Sequence, residues 1–509
     1  MYPKQVMDEF RHPKNLGEIK NADAIGKVGN PTCLLPDTIV HANDHFERID
    51  SLKESDRVLG HNGLYNQVEE KFARAYSGEL IKVKNKLGCT FLTPEHEVFA
   101  VSVPKRWKFT FTKNKKALSP QWLHAYELKK GDMAVLPVLK EVEDKQFMEV
   151  KQERKRFDYR SKKIPEKITV SEEFLRLSGY YLAEGSLKEK ITKTYVCFTF
   201  NSNEEELVKD VVDITAKIFG LEAKVHTIPQ RKTTRVTINN IWVTRLFKSL
   251  FGKGAAEKKL PHWMILLPLA KQKSIILGLW RGDGFFNQKK PRAGYSTVSH
   301  QLALQIKTLL LRQEIVPSIY TEKEKISKDG VKHRKAYRIH VGDRKSVENL
   351  AKILDLELKT IKPVLIDSWF SKGMLFIPIS GIERINYEGK VHNLKVENAM
   401  SYVTESLTVH NCGDLLWVYL KIGKNKKGKE IIKDIKVKTF GCVVAIANSS
   451  LLTKMVKGKT IEFAEKLTKQ DLLKKLGKVP AIKVHCSVLA VDGLQNALKD
   501  YREKKGKGK

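Results

Sequence analysis

A nine-residue pattern occurs twice in this chain, about 100 residues apart, and limits the possible folds more than any other feature. It reads Leu-Ser-Gly-Tyr-Tyr-Leu-Ala-Glu-Gly at 177–185 and Ile-Leu-Gly-Leu-Trp-Arg-Gly-Asp-Gly at 276–284. Each copy is followed by a predicted strand, a helix and two further strands, in the same order. This period is too long for a solenoid. It predicts two similar half-domains that face each other across a pseudo-twofold axis.

Both copies combine small residues on one predicted helix face with an acid at the helix end. The small residues are Gly179, Ala183, Gly278 and Gly282. They would let the two helices pack closely, which would bring Glu184 and Asp283 together. Two neighbouring carboxylates can bind Mg²⁺ together with water and phosphate oxygens. Either acid taken alone would be an ordinary solvated residue at the end of a helix.

The two copies resemble the motif of the LAGLIDADG homing endonucleases. The resemblance implies an α+β endonuclease domain over 169–360, built from two αββαββα-like repeats, with double-stranded DNA as substrate. It implies Mg²⁺ on Glu184 and Asp283, with Lys258 as the lysine that the family places near the metals. The basic residues offered to the DNA would be Arg231, Lys232, Arg235, Arg334 and Arg338. The net charge of +35 suits a polyanionic partner, although lysine-rich surfaces also occur in thermophilic proteins.

Three short motifs enclose the repeat. Cys33 is followed by Leu-Leu-Pro-Asp-Thr, residues 88–96 read Gly-Cys-Thr-Phe-Leu-Thr-Pro-Glu-His, and residues 409–412 read Val-His-Asn-Cys. A cysteine thiolate can attack the carbonyl that precedes it. The amide resists this shift unless its nitrogen is protonated or the oxyanion is stabilised. Each motif is weak alone, but together they resemble the intein family.

The intein resemblance implies an all-β Hint splicing domain in two parts, 33–140 and 375–411, with 141–168 as a charged connector. By this resemblance the thioester forms on Cys33, assisted by Thr93 and His96, and splicing needs no cofactor. Cys412 then captures the acyl group, and Asn411 cyclises with His410 as proton donor. The sequence departs from the family at Asn393 and Met400, where aspartate and histidine are usual, and both positions normally tune the later steps.

The two ends of the chain, 1–32 and 412–509, together have the size of one ordinary domain, about 130 residues. We predict a helix at 4–10, strands at 415–422 and 431–440, and helices at 443–455, 461–473 and 487–502. The resulting fold class is multidomain: an α+β host domain interrupted by an insert.

Joined across the insert, the chain reads Gly-Asn-Pro-Thr-Cys-Gly-Asp, followed later by Phe-Gly-Cys and His-Cys. This resembles the IscU/NifU family of iron–sulfur cluster scaffolds. The resemblance implies a [2Fe–2S] cluster, or iron or zinc, with a cysteine desulfurase and iron–sulfur acceptor proteins as partners. The implied ligands are Cys412, Asp414, Cys442, His485 and Cys486. The family's chaperone-docking segment is altered at 479–483.

Several classes of protein are excluded by composition. No apolar run is long enough to span a bilayer, the N-terminus lacks a secretory signal, and six cysteines do not form a disulfide framework. We therefore predict a cytoplasmic protein without a membrane partner. Two alternatives stay open: an intein that splices but whose endonuclease is inactive, and a DNA-binding multidomain nuclease without splicing.

Overall fold

The protein divides into two compact units in the computed structural model. The described residues are 3–28, 32–42, 45–103, 119–152, 161–190, 193–289, 292–326, 330, 332–358, 368–411, 415–440, 443–477 and 484–507. The first unit combines Met1–Cys33 with Asn411–Lys509, and the second is Leu34–His410. The second unit is thus inserted into the chain of the first.

Helices and strands alternate in the repeat region, whereas the strands of 24–169 and 369–440 follow one another without an intervening α-helix among the described residues. The helices are α1 (Lys4–Arg11), α2 (Glu172–Glu184), α3 (Glu205–Phe219), α4 (Ile241–Phe251), α5 (His262–Leu266), α6 (Leu269–Asp283), α7 (His300–Arg312), α8 (Arg344–Ile353), α9 (Val443–Val456), α10 (Ile461–Lys466), α11 (Lys469–Leu476) and α12 (Val484–Lys507). Among the described residues, no helix is both long and apolar enough to cross a bilayer.

The strands are β1 (Ala24–Val28), β2 (Ile39–His41), β3 (Phe46–Arg48), β4 (Arg57–Leu59), β5 (Tyr65–Asn85), β6 (Gly88–Leu92), β7 (Glu97–Val101), β8 (Gln121–His124), β9 (Met133–Pro137), β10 (Phe147–Glu149), β11 (Lys167–Thr169), β12 (Gly185–Lys190), β13 (Lys193–Asn201), β14 (Lys224–Ile228), β15 (Thr233–Ile238), β16 (Phe285–Asn287), β17 (Arg292–Thr297), β18 (Ser318–Glu322), β19 (Lys325–Ile326), β20 (Lys332–His333), β21 (Ala336–Val341), β22 (Trp369–Ser371), β23 (Met374–Pro378), β24 (Gly381–Val396), β25 (Ser401–Val403), β26 (Thr408–His410), β27 (Leu415–Lys424) and β28 (Glu430–Phe440).

The first unit is a three-stranded antiparallel sheet covered by helices. Its strand order is β1-β27-β28, so the two halves of the interrupted chain share one sheet. The strand β1 approaches α12 closely at Gly26, where a Cβ atom would lie 2.1 Å from the Gly493 carbonyl oxygen. Glu9 of α1 accepts hydrogen bonds from Ser450 and Lys454 of α9. These contacts join residues that are more than 400 positions apart in sequence.

The helix predicted at 461–473 is two helices, and the prediction was wrong at this point. The first ends at Lys466. Thr468 caps the second, because its hydroxyl accepts a hydrogen bond from the Asp471 amide while the Asp471 carboxylate accepts one from the Thr468 amide. This capping box satisfies amides that would otherwise lack partners at a helix start. Its residues are compatible with a helix interior, so the 3.6-residue pattern alone did not reveal the break.

One part of the second unit, 34–149 with 368–410, is called the strand-only part because its described residues form strands and no α-helix, with a short 3-10 helix at Ala125–Glu127. The longest pair is β5 with β24: the whole of β24 runs antiparallel to residues 68–84 of β5. A second sheet has the order β22-β23-β9-β7-β26-β25, with β8 also paired to β7. It joins strands from before and after the repeat region. The strand β26 lies between β25, its hairpin partner, and β7, whose paired residue lies about 300 positions earlier.

The repeat region forms two α+β halves of equal topology, as the sequence predicted. The first runs α2-β12-β13-α3-β14-β15-α4, and the second runs α6-β16-β17-α7-β18-β21-α8 with the small β19-β20 hairpin added. Their sheets have equivalent orders, β12-β13-β15-β14 and β16-β17-β21-β18. In α3 the buried residues Leu207, Val211 and Ile214 recur every three or four positions, as in a helix with one face on a sheet.

One large hydrophobic core runs through both parts of the second unit, beside a small separate cluster around Phe99 and Phe376. The large core includes Val98 and Val409 of the strand-only part and Tyr180, Ile276 and Leu309 of the repeats. Backbone bonds also link the two parts: the Ile319 amide donates to the Lys86 carbonyl oxygen at 2.8 Å. The connector predicted at 141–168 contains the strand β10, which pairs with β11.

Candidate functional sites

The helices α2 and α6 cross at their small residues. A Cβ atom at Gly179 would lie 2.5 Å from the Ile275 carbonyl oxygen, and one at Gly278 would lie 2.2 Å from the Arg176 carbonyl oxygen. Any side chain there would overlap backbone of the partner helix. Both helices then end one residue before a glycine, at Glu184 and Asp283.

We expect Gly278→Ala to lower the free energy of unfolding of the second unit by about 1–3 kcal/mol, because the added methyl group must displace helix backbone. Urea unfolding followed by circular dichroism measures the change. Gly254→Ala is the matched control, since a Cβ atom there would meet only Glu257, at 3.9 Å. Equal unfolding midpoints for the two variants would contradict the close crossing.

The carboxyl groups of Glu184 and Asp283 share a hydrogen bond at the ends of these helices. Burial, followed by the charge of Asp283, raises the pKa of Glu184 to about 7. Burial also raises the pKa of Asp283, although part of this residue stays open to solvent. Two acids that share a proton near neutral pH can release that proton and bind a cation in its place.

Lys258 lies behind the carboxylate pair and is 7% exposed. Its ammonium group donates to the carbonyl oxygens of Leu182 at 2.9 Å and Ala183 at 3.0 Å, in the last turn of α2. Burial lowers the pKa of Lys258 to about 8, while the charges of Asp283 and Glu184 act in the opposite direction. The lysine is therefore fixed beside the acids by backbone of the same helix that carries one of them.

The donor set at this site fits a divalent cation of the magnesium class. Carboxylate oxygens are the ligands that Mg²⁺ prefers, and two of them leave coordination positions for water and phosphate. Among the described residues, no group of three or more His, Cys, Asp or Glu side chains could hold a metal ion. A cation bound by Glu184 and Asp283 would therefore need ligands from water or a substrate.

A second site lies in the strand-only part, where β6 ends and β7 begins. Thr93 and His96 are both fully buried in the turn between these strands, and the His96 amide donates to the Thr93 carbonyl oxygen at 3.0 Å. The His96 ring nitrogen Nε2 lies 3.2 Å from the His410 carbonyl oxygen. The predicted assisting histidine thus contacts the residue directly before Asn411.

His410 ends β26 among side chains that the sequence motifs do not include. Its ring meets the Trp122 ring edge-on at 4.9 Å between centroids, and its Nδ1 lies 3.8 Å from Oε2 of Glu97. The pairing of Val409 with Val98 sets this arrangement. Sequence reasoning missed Trp122 and Glu97, because only the register between distant strands brings them to His410.

The residue that follows Cys33 is fixed beside the same turn. Leu34 exchanges two backbone hydrogen bonds of 2.8 Å with His392 and forms a bridge to Leu92, directly before Thr93.

The next position along β24, Asn393, is fully buried and accepts a hydrogen bond from the Tyr402 hydroxyl. Met400 adopts a left-handed backbone with φ of 49°. Asn393 therefore keeps a polar partner although it replaces the usual aspartate.

In the first unit, the two ends of the interrupted host chain lie side by side. The Thr32 hydroxyl donates to the Asn411 carbonyl oxygen at 3.2 Å. Thr32, Cys33 and Asn411 are 8%, 2% and 9% exposed. The carbonyl of Asn411 belongs to the peptide bond that leads to Cys412. Groups from the two junctions therefore come within hydrogen-bonding distance in a largely solvent-free environment.

The remaining predicted residues differ in what can be said of them. Cys412, Asp414 and Cys442 lie outside the described residues, as do the side chains of His485 and Cys486. The basic residues predicted to face DNA are all exposed: Arg231, Lys232, Arg235, Arg334 and Arg338. Arg235 and Arg338 occupy β15 and β21, which are equivalent strands of the two repeats.

Comparison with known families matches both parts of the architecture. The NifU-like N terminal domain family matches residues 1–38 and 389–508, and the LAGLIDADG-like domain family matches 171–251 and 270–355. The chain is 47% identical over 113 residues to the iron-sulfur cluster assembly scaffold protein IscU 1 of Archaeoglobus fulgidus, which covers 22% of this chain and 69% of that protein.

Two longer relatives extend across the insert. An uncharacterized protein of Methanocaldococcus jannaschii is 30% identical over 449 residues, and the ATP-dependent DNA helicase Hel308 of Thermococcus kodakarensis is 29% identical over 423 residues. These matches cover 81% and 75% of this chain. The chain spans about half the length of the first relative (54%) and about a third of the second (36%).

Solved structures of the homing endonuclease I-DmoI overlay 37% of the chain. One, in complex with DNA and Mn, has 13% sequence identity, is covered completely, and gives a TM-score of 0.29.

The fold and the family matches define an α+β host domain interrupted by a long insert that contains a LAGLIDADG-like domain. The chain belongs to the NifU/IscU family of iron–sulfur cluster assembly scaffold proteins.

Proposed function

We propose that this chain is a precursor whose insert, Cys33 to Asn411, removes itself by protein splicing and leaves an iron–sulfur cluster scaffold. The observation that carries the proposal is the 3.2 Å hydrogen bond from the Thr32 hydroxyl to the Asn411 carbonyl oxygen. Splicing transfers an acyl group from one junction to the other, so the two junctions must be neighbours before reaction. The hydrogen bond joins residues 379 positions apart, one at each end of the insert.

The residues present can supply each step of that reaction. The Cys33 thiolate attacks the Thr32 carbonyl carbon, the C–N bond breaks, and the released amine takes a proton, with Thr93 and His96 as assisting groups. Transfer of the acyl group to the Cys412 sulfur forms a new thioester. The Asn411 side-chain nitrogen then attacks its own carbonyl carbon, with His410 as proton donor, and frees the insert. The amine of Cys412 finally takes the acyl group from its sulfur.

The strand-only part of the second unit supports a Hint-type splicing fold. It assembles strands from before and after the repeats, and it places Leu34 opposite Leu92 and His96 against His410. The residues next to both junctions are thereby held at one end of a single strand assembly. In this proposal the all-β part performs splicing, and the α+β repeats have a separate activity.

Incubation of the purified chain followed by mass spectrometry tests the proposal. Splicing yields an excised fragment of about 43 kDa and a ligated product of about 15 kDa from the 58.2 kDa chain, in proportion to their lengths. Hydrolysis by a contaminating protease would give no ligated product. An intact chain after prolonged incubation with reducing agent would refute splicing and would favour a multidomain nuclease without it.

For the inserted repeats we propose a site-specific endonuclease that acts on double-stranded DNA. The paired carboxylates, the buried Lys258 beside them and the exposed arginines on both sheets support this. A Mg²⁺ ion held by Glu184 and Asp283 would activate water and stabilise the leaving oxygen. The match to a DNA helicase covers 75% of the chain and so must include part of the insert. Similar inserts in host proteins with different names are what we expect of a mobile genetic element.

For the spliced host we propose binding of a [2Fe–2S] cluster, or of iron or zinc, by Cys412, Asp414, Cys442, His485 and Cys486. A cysteine desulfurase and cluster-accepting proteins would be its partners. The described cysteines Cys33, Cys89 and Cys197 form no disulfides, which suits the reducing cytoplasm.

We expect that the unspliced precursor assembles no stable cluster. In the precursor, Cys412 is bonded to Asn411 instead of Thr32, so the segment that carries this ligand lacks its native neighbour. Loosening the support of a metal ligand typically costs about 10–100-fold in affinity. Reconstitution with iron and sulfide compares a Cys33→Ala, Asn411→Ala precursor with the ligated product. Equal cluster absorbance and equal resistance to a chelator would contradict this expectation.

A further inference from the structure

We propose that Lys307, a residue of the second nuclease repeat, is a positioning residue for the C-terminal step of splicing. It would hold the turn at 404–407, which leads into the strand that ends at His410. This inference rests on the proposed splicing function and adds a residue that the splicing motifs do not contain.

The contact between Lys307 and this turn is buried and direct. Lys307 is 3% exposed, and its ammonium group donates to the Glu405 carbonyl oxygen at 2.7 Å. The ammonium nitrogen also lies 5.1 Å from the centre of the Phe46 ring, whose face attracts the positive charge of the lysine. Burial lowers the pKa of Lys307 to about 8, and the Glu405 charge acts in the opposite direction. Burial of a charged ammonium group costs free energy unless hydrogen bonds and charges around it compensate.

The turn receives further hydrogen bonds from the splicing fold, and the His300 ring of α7 also lies 4.0 Å from the Glu405 carboxylate. The Thr90 hydroxyl lies 2.9 Å from that of Thr404 and 2.8 Å from that of Ser406. The Asn85 side chain donates to the Ser406 carbonyl oxygen at 2.7 Å. The Lys307 ammonium approaches the same turn from the nuclease repeat. The turn is therefore held between two parts of the unit, and Lys307 supplies a direct hydrogen bond to its backbone from the nuclease side.

The clamped turn determines where His410 lies. It connects β25 to β26 in a short hairpin with Ser401 opposite His410. The strand β26 has only three residues and meets β7 at the single pair Val409 and Val98. A strand held by so few neighbours depends on its turn for its register. A shift of the turn would move the His410 carbonyl oxygen from His96 and would move Asn411 with it.

The experiment separates the two halves of splicing in the full chain. Lys307→Met is introduced into Cys33→Ala, where only C-terminal cleavage can occur, and into Asn411→Ala, where thiol-induced N-terminal cleavage reports thioester formation. Lys352→Met is the matched control, because it removes the same charge from an exposed position on α8. Circular dichroism confirms that each variant is folded at the assay temperature.

We expect Lys307→Met to slow C-terminal cleavage by about 10–100-fold relative to Lys352→Met, the usual effect of a small misplacement of reacting groups. N-terminal cleavage by dithiothreitol should change less than about threefold. A merely structural role would lower both rates together. Equal slowing of both steps, or no slowing of either, would overturn the positioning role.

A second variant covers the case in which Lys307→Met does not fold. Lys307→Gln keeps a neutral donor with a shorter reach, and the same selective loss of C-terminal cleavage is expected. A folded Lys307→Gln with the control's ratio of the two rates would overturn the inference. Failure of both steps in the Lys352→Met control would instead refute splicing itself, so the two failures are distinguishable.

Discussion

Replacing Cys33 with alanine should reduce ligated product by more than about a thousandfold, because no other group can form the first thioester. C-terminal cleavage at Asn411 should continue in this variant. Replacing Asn411 with alanine should instead stop release at the C-terminal junction and accumulate a branched or N-terminally cleaved species. Denaturing electrophoresis and mass spectrometry after fixed times distinguish these products.

Two substitutions of the same type serve as controls. Cys197→Ala removes a buried thiol from a strand of the first nuclease repeat, and Asn386→Ala removes an exposed amide from β24. Neither should change the yield of ligated protein by more than about twofold, in keeping with sites remote from the chemistry. If the Cys33→Ala and Asn411→Ala variants both still gave the ligated host, the proposed mechanism would be wrong.

The double substitution Glu184→Gln with Asp283→Asn should abolish DNA cleavage, by more than about a thousandfold, while splicing continues. Amides of the same shape preserve packing but cannot replace two carboxylates as magnesium ligands. The raised pKa values of both acids mean that burial disfavours their charged forms, so neutral amides should not lower thermal stability at pH 8.

The substrate for this test is DNA from a host gene without the insert, spanning the joined codons for Thr32 and Cys412. Nicking and double-strand cleavage are measured with Mg²⁺. Glu206→Gln with Asp213→Asn on the exposed face of α3 is the matched control. Undiminished cleavage by the Glu184 and Asp283 variant would remove these residues from the active site. An inactive parent chain would support the alternative of an insert that splices without cutting.

Local sequence patterns were sufficient to predict the fold of the two α+β repeats. The order of helices and strands, the crossing at Gly179 and Gly278 and the meeting of Glu184 with Asp283 follow from two copies of one pattern. When a motif occurs twice, each copy predicts the helix against which the other copy packs. The NifU/IscU resemblance was confirmed for a similar reason, since its motifs rejoin when the insert is removed.

The surroundings of the two ends of the insert could not be predicted in this way. Trp122 and Glu97 reach His410 only through the pairing of β7 with β26 and β8. Lys307 reaches Glu405 only because the α+β repeats and the strand-only part share one core. Such contacts depend on register between segments hundreds of residues apart, which a single sequence does not state.

Under the proposed function, the shared core also determines how this insert can lose its nuclease activity. Substitution of Glu184 or Asp283 would abolish DNA cleavage but would leave the apolar contacts of the core in place. Deletion of 169–360 would instead remove buried side chains such as Leu309 and Ile276 from a cluster that includes Val98 and Val409, and would expose the faces they covered. Exposed apolar surface of that kind favours aggregation. An insert whose nuclease had become inactive would therefore keep residues 169–360, because they still cover the apolar side chains of the shared core.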